Sequence, residues 1–221
     1  MSTLARRIAL KRNDYPTSDG RPMAETDRHR ELMWELIKAL QDRYAADPLV
    51  YVSGNLLLFY VPGDRLRHLS PDVFVVRGVP KRERLNYLTW EEGKGPDVVI
   101  ELTSSSTRHE DVDDKYQLYQ NTLRVPEYFL FDPFGDYLDP PLRGYRLRRR
   151  RYAPVRPVKG RLPSKVLGLH LERSGTDLRL YDPAVKRWLP TPQERLATAE
   201  SEIERLRREV EELRRKPGKG R

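Results

Sequence analysis

The chain contains no cysteine among its 221 residues. Disulfides, thiolate metal sites and cysteine nucleophiles are therefore excluded, and any metal must be held by oxygen or imidazole. Long apolar runs are also missing, since no stretch approaches the ~18 residues that a membrane-spanning helix needs. The N-terminus lacks the apolar core and small-residue cleavage site of a secretory signal. We expect a cytoplasmic protein with no membrane partner.

Charged residues are abundant in this chain. They make up 34% of the sequence, hydrophobic residues make up 38%, and the formal net charge is +9. This balance predicts one globular domain with an additional polar segment, rather than two full domains. The positive charge favours a polyanionic partner such as DNA, although on its own it supports nucleic acid only weakly.

The local patterns divide the chain into four regions. A basic N-terminal arm covers residues 1–24, and the main domain covers residues 25–192. Residues 193–215 follow as a helix, and residues 216–221 form a basic tail that we expect to be disordered.

The main domain alternates between helical and strand patterns. Apolar spacing from Thr26 to Tyr44 predicts an amphipathic helix whose N-cap is Thr26 or Asp27. The runs "LVYVSG" and "NLLLFYV" predict a hairpin that turns around Ser53-Gly54-Asn55. Strands are also predicted for residues 71–76, 98–102 and 127–132, and a charged loop for residues 81–95. A helix over residues 108–121 makes the last two strands a βαβ unit, so part of the sheet should be parallel.

The helix near the C-terminus has the apolar spacing of a short coiled coil. Its apolar residues alternate steps of three and four, with Glu and Arg between them, at Leu196, Ala199, Ile203, Leu206, Val210 and Leu213. Two interpretations stay open. The helix either associates with other copies, giving a homodimer or a higher homo-oligomer, or folds back on its own domain, since fewer than three full heptads are marginal alone.

Glu101 is the one ionisable residue within the apolar strand run of residues 98–102. Alternation along a strand places it on the same face as Val99. Burying an unpaired carboxylate costs several kcal/mol, so a cation should meet it. The alternatives are that Glu101 faces solvent on an edge strand, or pairs with an arginine.

Two further residues favour a shared site. Asp72 opens a similar strand, and neighbouring strands lie only about 5 Å apart. Lys115 lies on the apolar face of the next helix, although it could instead pair with Asp111 or extend its head into water. Two carboxylates suit Mg²⁺ or Mn²⁺, which assist phosphodiester hydrolysis, and a lysine can orient water or stabilise negative charge.

Several segments, in order, carry a resemblance to a known family. "SPDVFVV", "GPDVVIELTSSSTRHEDVDDKYQLYQ" and "VPEYFLFDP" resemble the signature of the Uma-type restriction-endonuclease-like family, a branch of the PD-(D/E)XK nuclease superfamily. "SKVLGLHLE", "LRLYDP" and "PTPQERLATAE" are similar to it as well. The resemblance implies an α/β fold, with a restriction-endonuclease-like mixed central sheet flanked by helices. The heptad pattern adds a C-terminal coiled-coil helix.

The resemblance also implies roles for individual residues. Asp72 matches the Asp of the superfamily's PD dipeptide and Glu101 the acidic residue of its second motif, both as metal ligands, with the Leu102 carbonyl completing the metal shell. The superfamily places a lysine two residues after that Glu, where this chain has Thr103. In this branch the lysine is thought to have migrated to the following helix, where Lys115 is the matching residue.

A Glu on the first helix assists some members of the superfamily, and Glu31 or Glu35 is the candidate here. Three functions stay open. The first is a metal-dependent DNA endonuclease that uses Asp72, Glu101 and Lys115, and the second is a nucleic-acid-binding or partner-binding module of the same fold without turnover. The third is a scaffold in which Lys115 and Glu101 form an internal ion pair.

Overall fold

The computed structural model describes residues 15–18, 20, 26–103 and 113–215. It divides the chain into two units, Met1–Leu189 and Pro190–Arg221. The first unit is a mixed α/β structure, which confirms the predicted fold class. In chain order its elements are α1 (Asp27–Arg43), β1 (Val50–Ser53), β2 (Leu58–Phe59), β3 (His68–Leu69), β4 (Val73–Arg77), β5 (Tyr87–Leu88), α2 (Thr89–Glu92), β6 (Val98–Leu102), α3 (Lys115–Gln117), a π-helical segment (Leu118–Leu123), β7 (Glu127–Phe131), β8 (Leu142–Arg148), β9 (Arg151–Pro154), β10 (Leu162–Ser164), β11 (Leu169–Ser174), β12 (Asp177–Asp182) and β13 (Arg187–Trp188).

The central sheet has six strands in the order β1-β4-β6-β7-β8-β9. β6 and β7 run parallel, which confirms the strand relationship expected of the βαβ unit. The other neighbouring strands of this sheet are antiparallel. β6 therefore lies in the interior of a mixed sheet, and this position decides the surroundings of Glu101.

Both faces of the central sheet are covered. On one face Val73, Val98 and Ile100 pack with α1 and with the four-stranded sheet of β10 to β13. On the other face Phe74 and Val99 pack with the π-helical segment and with aromatic side chains from β5, β7 and β9. Burial on both sides explains why these strands are almost continuously apolar instead of alternating.

Helix α1 matches its sequence prediction and settles the choice of N-cap. The Thr26 hydroxyl accepts a hydrogen bond from the backbone N–H of His29 at 3.2 Å, so Thr26 is the cap. Leu32, Leu36 and Leu40 recur every four residues and are buried against the sheet. Because His29 precedes Leu32 by three residues, it lies on the same buried stripe.

The predicted hairpin at Ser53-Gly54-Asn55 is wrong. β1 pairs with β4, while β2 belongs to a separate three-stranded sheet with the order β3-β2-β5. The chain does not turn back at Gly54, because it continues beside the start of β4, where the Asn55 N–H donates to the Pro71 carbonyl at 2.8 Å. Strand β5 and helix α2 also lie within the segment that was expected to be a charged loop.

Some sequence predictions fall on residues that the structure does not describe. These are most of the arm, the first part of the predicted 108–121 helix, and the 216–221 tail. Within the arm, Tyr15 is described, and its ring centroid lies 4.9 Å from that of Phe59. Asn86 donates to the carbonyls of Tyr15 and Pro16, both at 3.3 Å, so this part of the arm contacts the small sheet.

The second unit contains α4 (Pro192–Arg215). The Thr191 hydroxyl accepts from the Glu194 N–H at 3.2 Å, and the Glu194 carboxylate accepts from the Thr191 N–H at 2.8 Å. This reciprocal pair is a capping box that defines the start of the helix. Across the described ranges, no helix is long and apolar enough to cross a membrane.

Gly54 is required by its contact with the backbone of β4. A Cβ at this position would lie 1.9 Å from the Asp72 carbonyl oxygen and 2.7 Å from the Ile37 side chain. We expect Gly54→Ala to lower the free energy of unfolding by roughly 1–3 kcal/mol, because the backbone must shift to make room. Urea denaturation of the purified variant measures this change.

Gly95→Ala is the matched control for this substitution. Its new Cβ would make only ordinary contacts, the nearest at 3.7 Å, so stability should change little. Equal destabilisation by the two alanines would contradict the close approach of Gly54 to Asp72.

Candidate active site

Two acidic residues lie side by side where β4 begins and the antiparallel strand β6 ends. The antiparallel register pairs Val73 with Ile100 and Phe74 with Val99. Continuing that register by one residue places Asp72 opposite Glu101, so both side chains lie on the same face of the sheet. The Asp72 backbone N–H donates to Glu101 Oε2 at 3.1 Å. The neighbouring strands therefore bring the two predicted acids together.

The Asp72 carboxylate is held from two sides. Its Oδ2 accepts from the Leu102 N–H at 2.7 Å, and its Oδ1 lies 3.3 Å from His29 Nε2. Burial acts to raise the pKa of Asp72, but the interaction with the His29 imidazole and the charge of Lys115 outweigh it. The net effect lowers the pKa below its usual value, so Asp72 is a carboxylate anion at neutral pH.

Glu101 is fully buried, with 0% of its surface exposed. Its Oε1 accepts from the Tyr119 hydroxyl at 2.6 Å, and its Oε2 lies 3.3 Å from Lys115 Nζ. Because β6 is an interior strand, the alternative of a solvent-facing Glu101 on an edge strand is wrong. Its buried carboxylate has the hydrogen-bond and cationic partners that such a group requires.

Lys115 approaches Glu101 from the helix that follows β6. The Lys115 side chain is only 10% exposed, so its ammonium group does not extend into water along the protein surface. Helix α3 continues directly into the π-helical segment, which carries Tyr119. π-helical turns are rare and often occur at functional sites. The alternative partner Asp111 lies outside the described residues.

Two contributors to the site were missed from the sequence, His29 and Tyr119. His29 belongs to none of the motifs singled out in the sequence, yet its ring faces Asp72. Its place on the apolar stripe of α1 was the available signal. Tyr119 follows Lys115 by four residues, and this spacing could have indicated that both side chains reach the same carboxylate.

The candidate acids of the first helix lie in other surroundings. Glu31 accepts from Arg28 Nη1 at 3.3 Å. Glu35 is half-buried, and burial raises its pKa while the charge of Arg28 opposes that rise. Asp177 is among the other charges around Glu35. The residue of α1 that lies beside Asp72 is His29.

The donor set suits a hard divalent cation. Within the described part of the chain, no group of three or more His, Asp or Glu side chains is arranged to hold a metal ion. Among the described side chains, Asp72 and Glu101 would act as ligands, together with backbone and water oxygens. Mg²⁺ commonly binds in this way, through one or two carboxylates while it retains several waters. The residues present thus fit Mg²⁺ or Mn²⁺, and the Leu102 carbonyl stays a predicted ligand.

The comparison with family models places this mixed sheet in a nuclease-like class of protein. A family model described as Uma2, "Putative restriction endonuclease", matches residues 8–177. The chain belongs to this family. A solved structure titled as a putative nuclease belonging to DUF820, from Anabaena variabilis, is similar at 18% identity and a TM-score of 0.49. The similarity covers 69% of this chain and 80% of that one. None of the curated proteins compared with the chain matches it.

The lowered pKa of Asp72 predicts a pH-dependent contribution to stability. Because the folded-state pKa lies below the unfolded value of about 3.9, the ionised group stabilises the fold above that pH. The contribution is lost as the pH falls through the lowered pKa. We expect Asp72→Asn to be less stable than the wild type at neutral pH, and the difference to shrink in strong acid.

Urea denaturation at a series of pH values measures this difference. Asp136→Asn, at an exposed carboxyl, serves as the matched control and should differ little from the wild type throughout. A deficit of Asp72→Asn that stays constant down to strong acid would contradict the proposed ionised state of Asp72.

Proposed function

We propose that this chain is a metal-dependent DNA endonuclease that hydrolyses phosphodiester bonds with Mg²⁺ or Mn²⁺. One observation carries the proposal: Asp72 and Glu101 meet across β4 and β6, and Lys115 Nζ lies 3.3 Å from Glu101 Oε2. Membership of the Uma2 family supports the reaction class. The metal ion, the DNA substrate and the role of each residue are proposed in addition to this reaction class.

The charge of the site explains why a cation is needed. Among the described residues, the carboxyl groups of Asp72 and Glu101 face the ammonium group of Lys115, and in the proposal these three side chains together carry a net negative charge. A phosphodiester is also an anion and would be repelled from such a site. Asp72 and Glu101 would hold a divalent cation whose charge would reverse the local sign, so the acids would become a means of binding phosphate.

Each side chain has a distinct role in the proposal. Asp72 and Glu101 would hold the metal together with the Leu102 carbonyl. When bound, the ion supplies positive charge that polarises the phosphate and acidifies a water. Lys115 presents a fixed ammonium group that orients the attacking water or stabilises the negative charge that develops in the transition state. Tyr119 acts as a positioning residue, because it donates to Glu101 on the oxygen away from Lys115.

His29 has the corresponding positioning role for Asp72. Its ring nitrogen faces Oδ1, while the Leu102 N–H holds Oδ2. The carboxylate is thus fixed from a helix on one side and from strand β6 on the other. Partners of this kind orient ligating carboxylates and tune their affinity for a metal.

DNA as the substrate is supported by the exposed arginines of the β8–β9 hairpin. Arg148, Arg149, Arg150 and Arg151 are all exposed around its turn. Arginines neutralise backbone phosphates, and the formal net charge of +9 is in keeping with a polyanionic partner. β9 is also an edge strand of the central sheet, where charge prevents unwanted strand pairing. Binding DNA and protecting the edge are compatible roles.

A second candidate is a nucleic-acid-binding or partner-binding module without turnover. The ion pair of Lys115 with Glu101 favours it, because this pair satisfies both buried charges within the protein. Thr103, in place of the superfamily's lysine, favours it as well. Such a module would bind DNA in a salt-dependent manner and cleave it in no divalent ion.

A nuclease assay separates the two candidates. We expect the wild type to cleave DNA only with Mg²⁺ or Mn²⁺, and Asp72→Asn, Glu101→Gln and Lys115→Met each to lose activity by at least about 100-fold. The exposed residues Asp136 and Lys186 provide the charge-matched controls Asp136→Asn and Lys186→Met, which should remain active.

The outcomes of this assay are distinct. Cleavage that all three site substitutions leave intact would rule out the site. DNA binding without cleavage by the folded wild type would support the second candidate.

Tyr119→Phe tests the positioning of Glu101. Loss of the 2.6 Å hydrogen bond should weaken metal affinity by roughly 10–100-fold, with activity largely restored at high metal concentration. Calorimetric titration with Mn²⁺ measures the affinity, and the metal dependence of cleavage measures the rescue. Tyr116→Phe, on the same helix, should keep wild-type affinity. Unchanged Mn²⁺ affinity in Tyr119→Phe would rule out a role for Tyr119 in positioning Glu101 for metal binding.

A further inference from the structure

The apolar side chains of α4 are exposed along its length. None of its 24 residues is buried. The exposed apolar residues are Leu196 (61%), Ile203 (49%), Leu206 (46%), Val210 (47%) and Leu213 (61%). Most helices in proteins gain their stability by packing an apolar face. At 1.5 Å per residue, α4 is roughly 36 Å long. The exposed apolar row along it is typical of a surface that packs against another protein segment.

The order of residue types along this row specifies the kind of partner. In heptad notation the a positions are Leu196, Ile203 and Val210, and the d positions are Ala199, Leu206 and Leu213. The second and third heptads have β-branched Ile203 and Val210 at a and leucine at d, a combination that favours two parallel strands over three or four; the first heptad, with Leu196 and Ala199, carries no such preference. We propose that α4 pairs with α4 of a second copy of this chain as a parallel, in-register, two-stranded coiled coil.

The charged residues beside the apolar row fit this arrangement. In a parallel pair, each g position lies next to the e position five residues further along the other helix. The three contacts formed in this way are Arg195 with Glu200, Glu202 with Arg207, and Glu209 with Arg214. Each joins opposite charges, and two-fold symmetry repeats each of them.

The antiparallel arrangement is disfavoured by the same residues. With the apolar rows fully overlapped, g positions face g positions, so Glu202 meets Glu209 of the other copy, twice by symmetry. Like charges would then face each other along that side. On the other side, Glu200 would still meet Arg207 of the other copy, twice by symmetry, so the antiparallel pair has fewer attractive contacts than the parallel pair and adds repulsive ones. The charges thus choose the orientation as well as the partner, and the proposal stands independently of any nuclease activity.

A charge exchange tests the pairing on the full chain. Glu202→Arg with Glu209→Arg makes one variant, and Arg207→Glu with Arg214→Glu makes the other. Each variant alone brings like charges together at four contacts of a parallel pair, whereas an equal mixture restores opposite charges at all four. In sedimentation equilibrium we expect a concentration-dependent dimer for the wild type, at least a tenfold weaker dimer for each variant alone, and recovery on mixing.

Two further variants control for helix formation. Leu206→Glu, within the row, should abolish the dimer, whereas Ser201→Glu, on the opposite face, should leave it intact. Circular dichroism confirms that both variants remain folded. A folded wild type that stays monomeric at every concentration would overturn the proposal, as would a mixture of the exchanged variants that fails to recover.

The absence of cysteine in the sequence allows a direct test of orientation. In the parallel pair, Ala199 faces Ala199 and Val210 faces Val210. In the antiparallel pair, Ala199 faces Val210. Oxidising a mixture of the Ala199→Cys and Val210→Cys variants should therefore yield the two symmetric disulfide-linked dimers, identified by mass spectrometry. Formation of the mixed Ala199→Cys/Val210→Cys product alone would overturn the parallel orientation.

Discussion

The complete burial of the Glu101 carboxyl group is the constraint on which the rest of the active-site architecture depends. A carboxylate that is fully buried in an interior strand must be hydrogen-bonded and paired, since several kcal/mol are lost otherwise. Within the described residues, partners come from three separate parts of the chain: the backbone of Asp72, the Tyr119 hydroxyl and the Lys115 ammonium group. The fold of the first unit brings these donors to the two carboxylate oxygens of Glu101.

The two acids also complete the sheet at this point. The pairing of β4 with β6 ends at Val73 and Ile100. Beyond it, the Asp72 N–H donates to the Glu101 carboxylate, and the Leu102 N–H donates to the Asp72 carboxylate. Side-chain oxygens thus take the place of backbone carbonyls as acceptors. The same atoms hold the two strands together and would bind a metal, so structure and proposed chemistry share one set of groups.

The sequence could predict those parts of the site that depend on local pattern. Asp72 and Glu101 each lie in a short apolar run, and alternation along a strand was enough to assign the face of Glu101. His29 could not be assigned to the site, because its contact with Asp72 joins residues far apart in the chain. The hairpin at Gly54 failed for a related reason, since pairing of β1 with β4 depends on a neighbour about twenty residues away. The π-helical segment carries no periodicity signal that distinguishes it from an α-helix.

The contact of Gly54 with the Asp72 carbonyl has a consequence for transferring this chemistry to another protein. The acidic pair is formed by two strands, yet β1 lies so close behind Asp72 that only a hydrogen atom fits between them. A grafted motif that carried β4 and β6 alone would leave the carbonyl side of Asp72 without its neighbour. The smallest portable form of the acidic pair is therefore a three-stranded piece of sheet, with a residue that has no side chain as one of its essential parts.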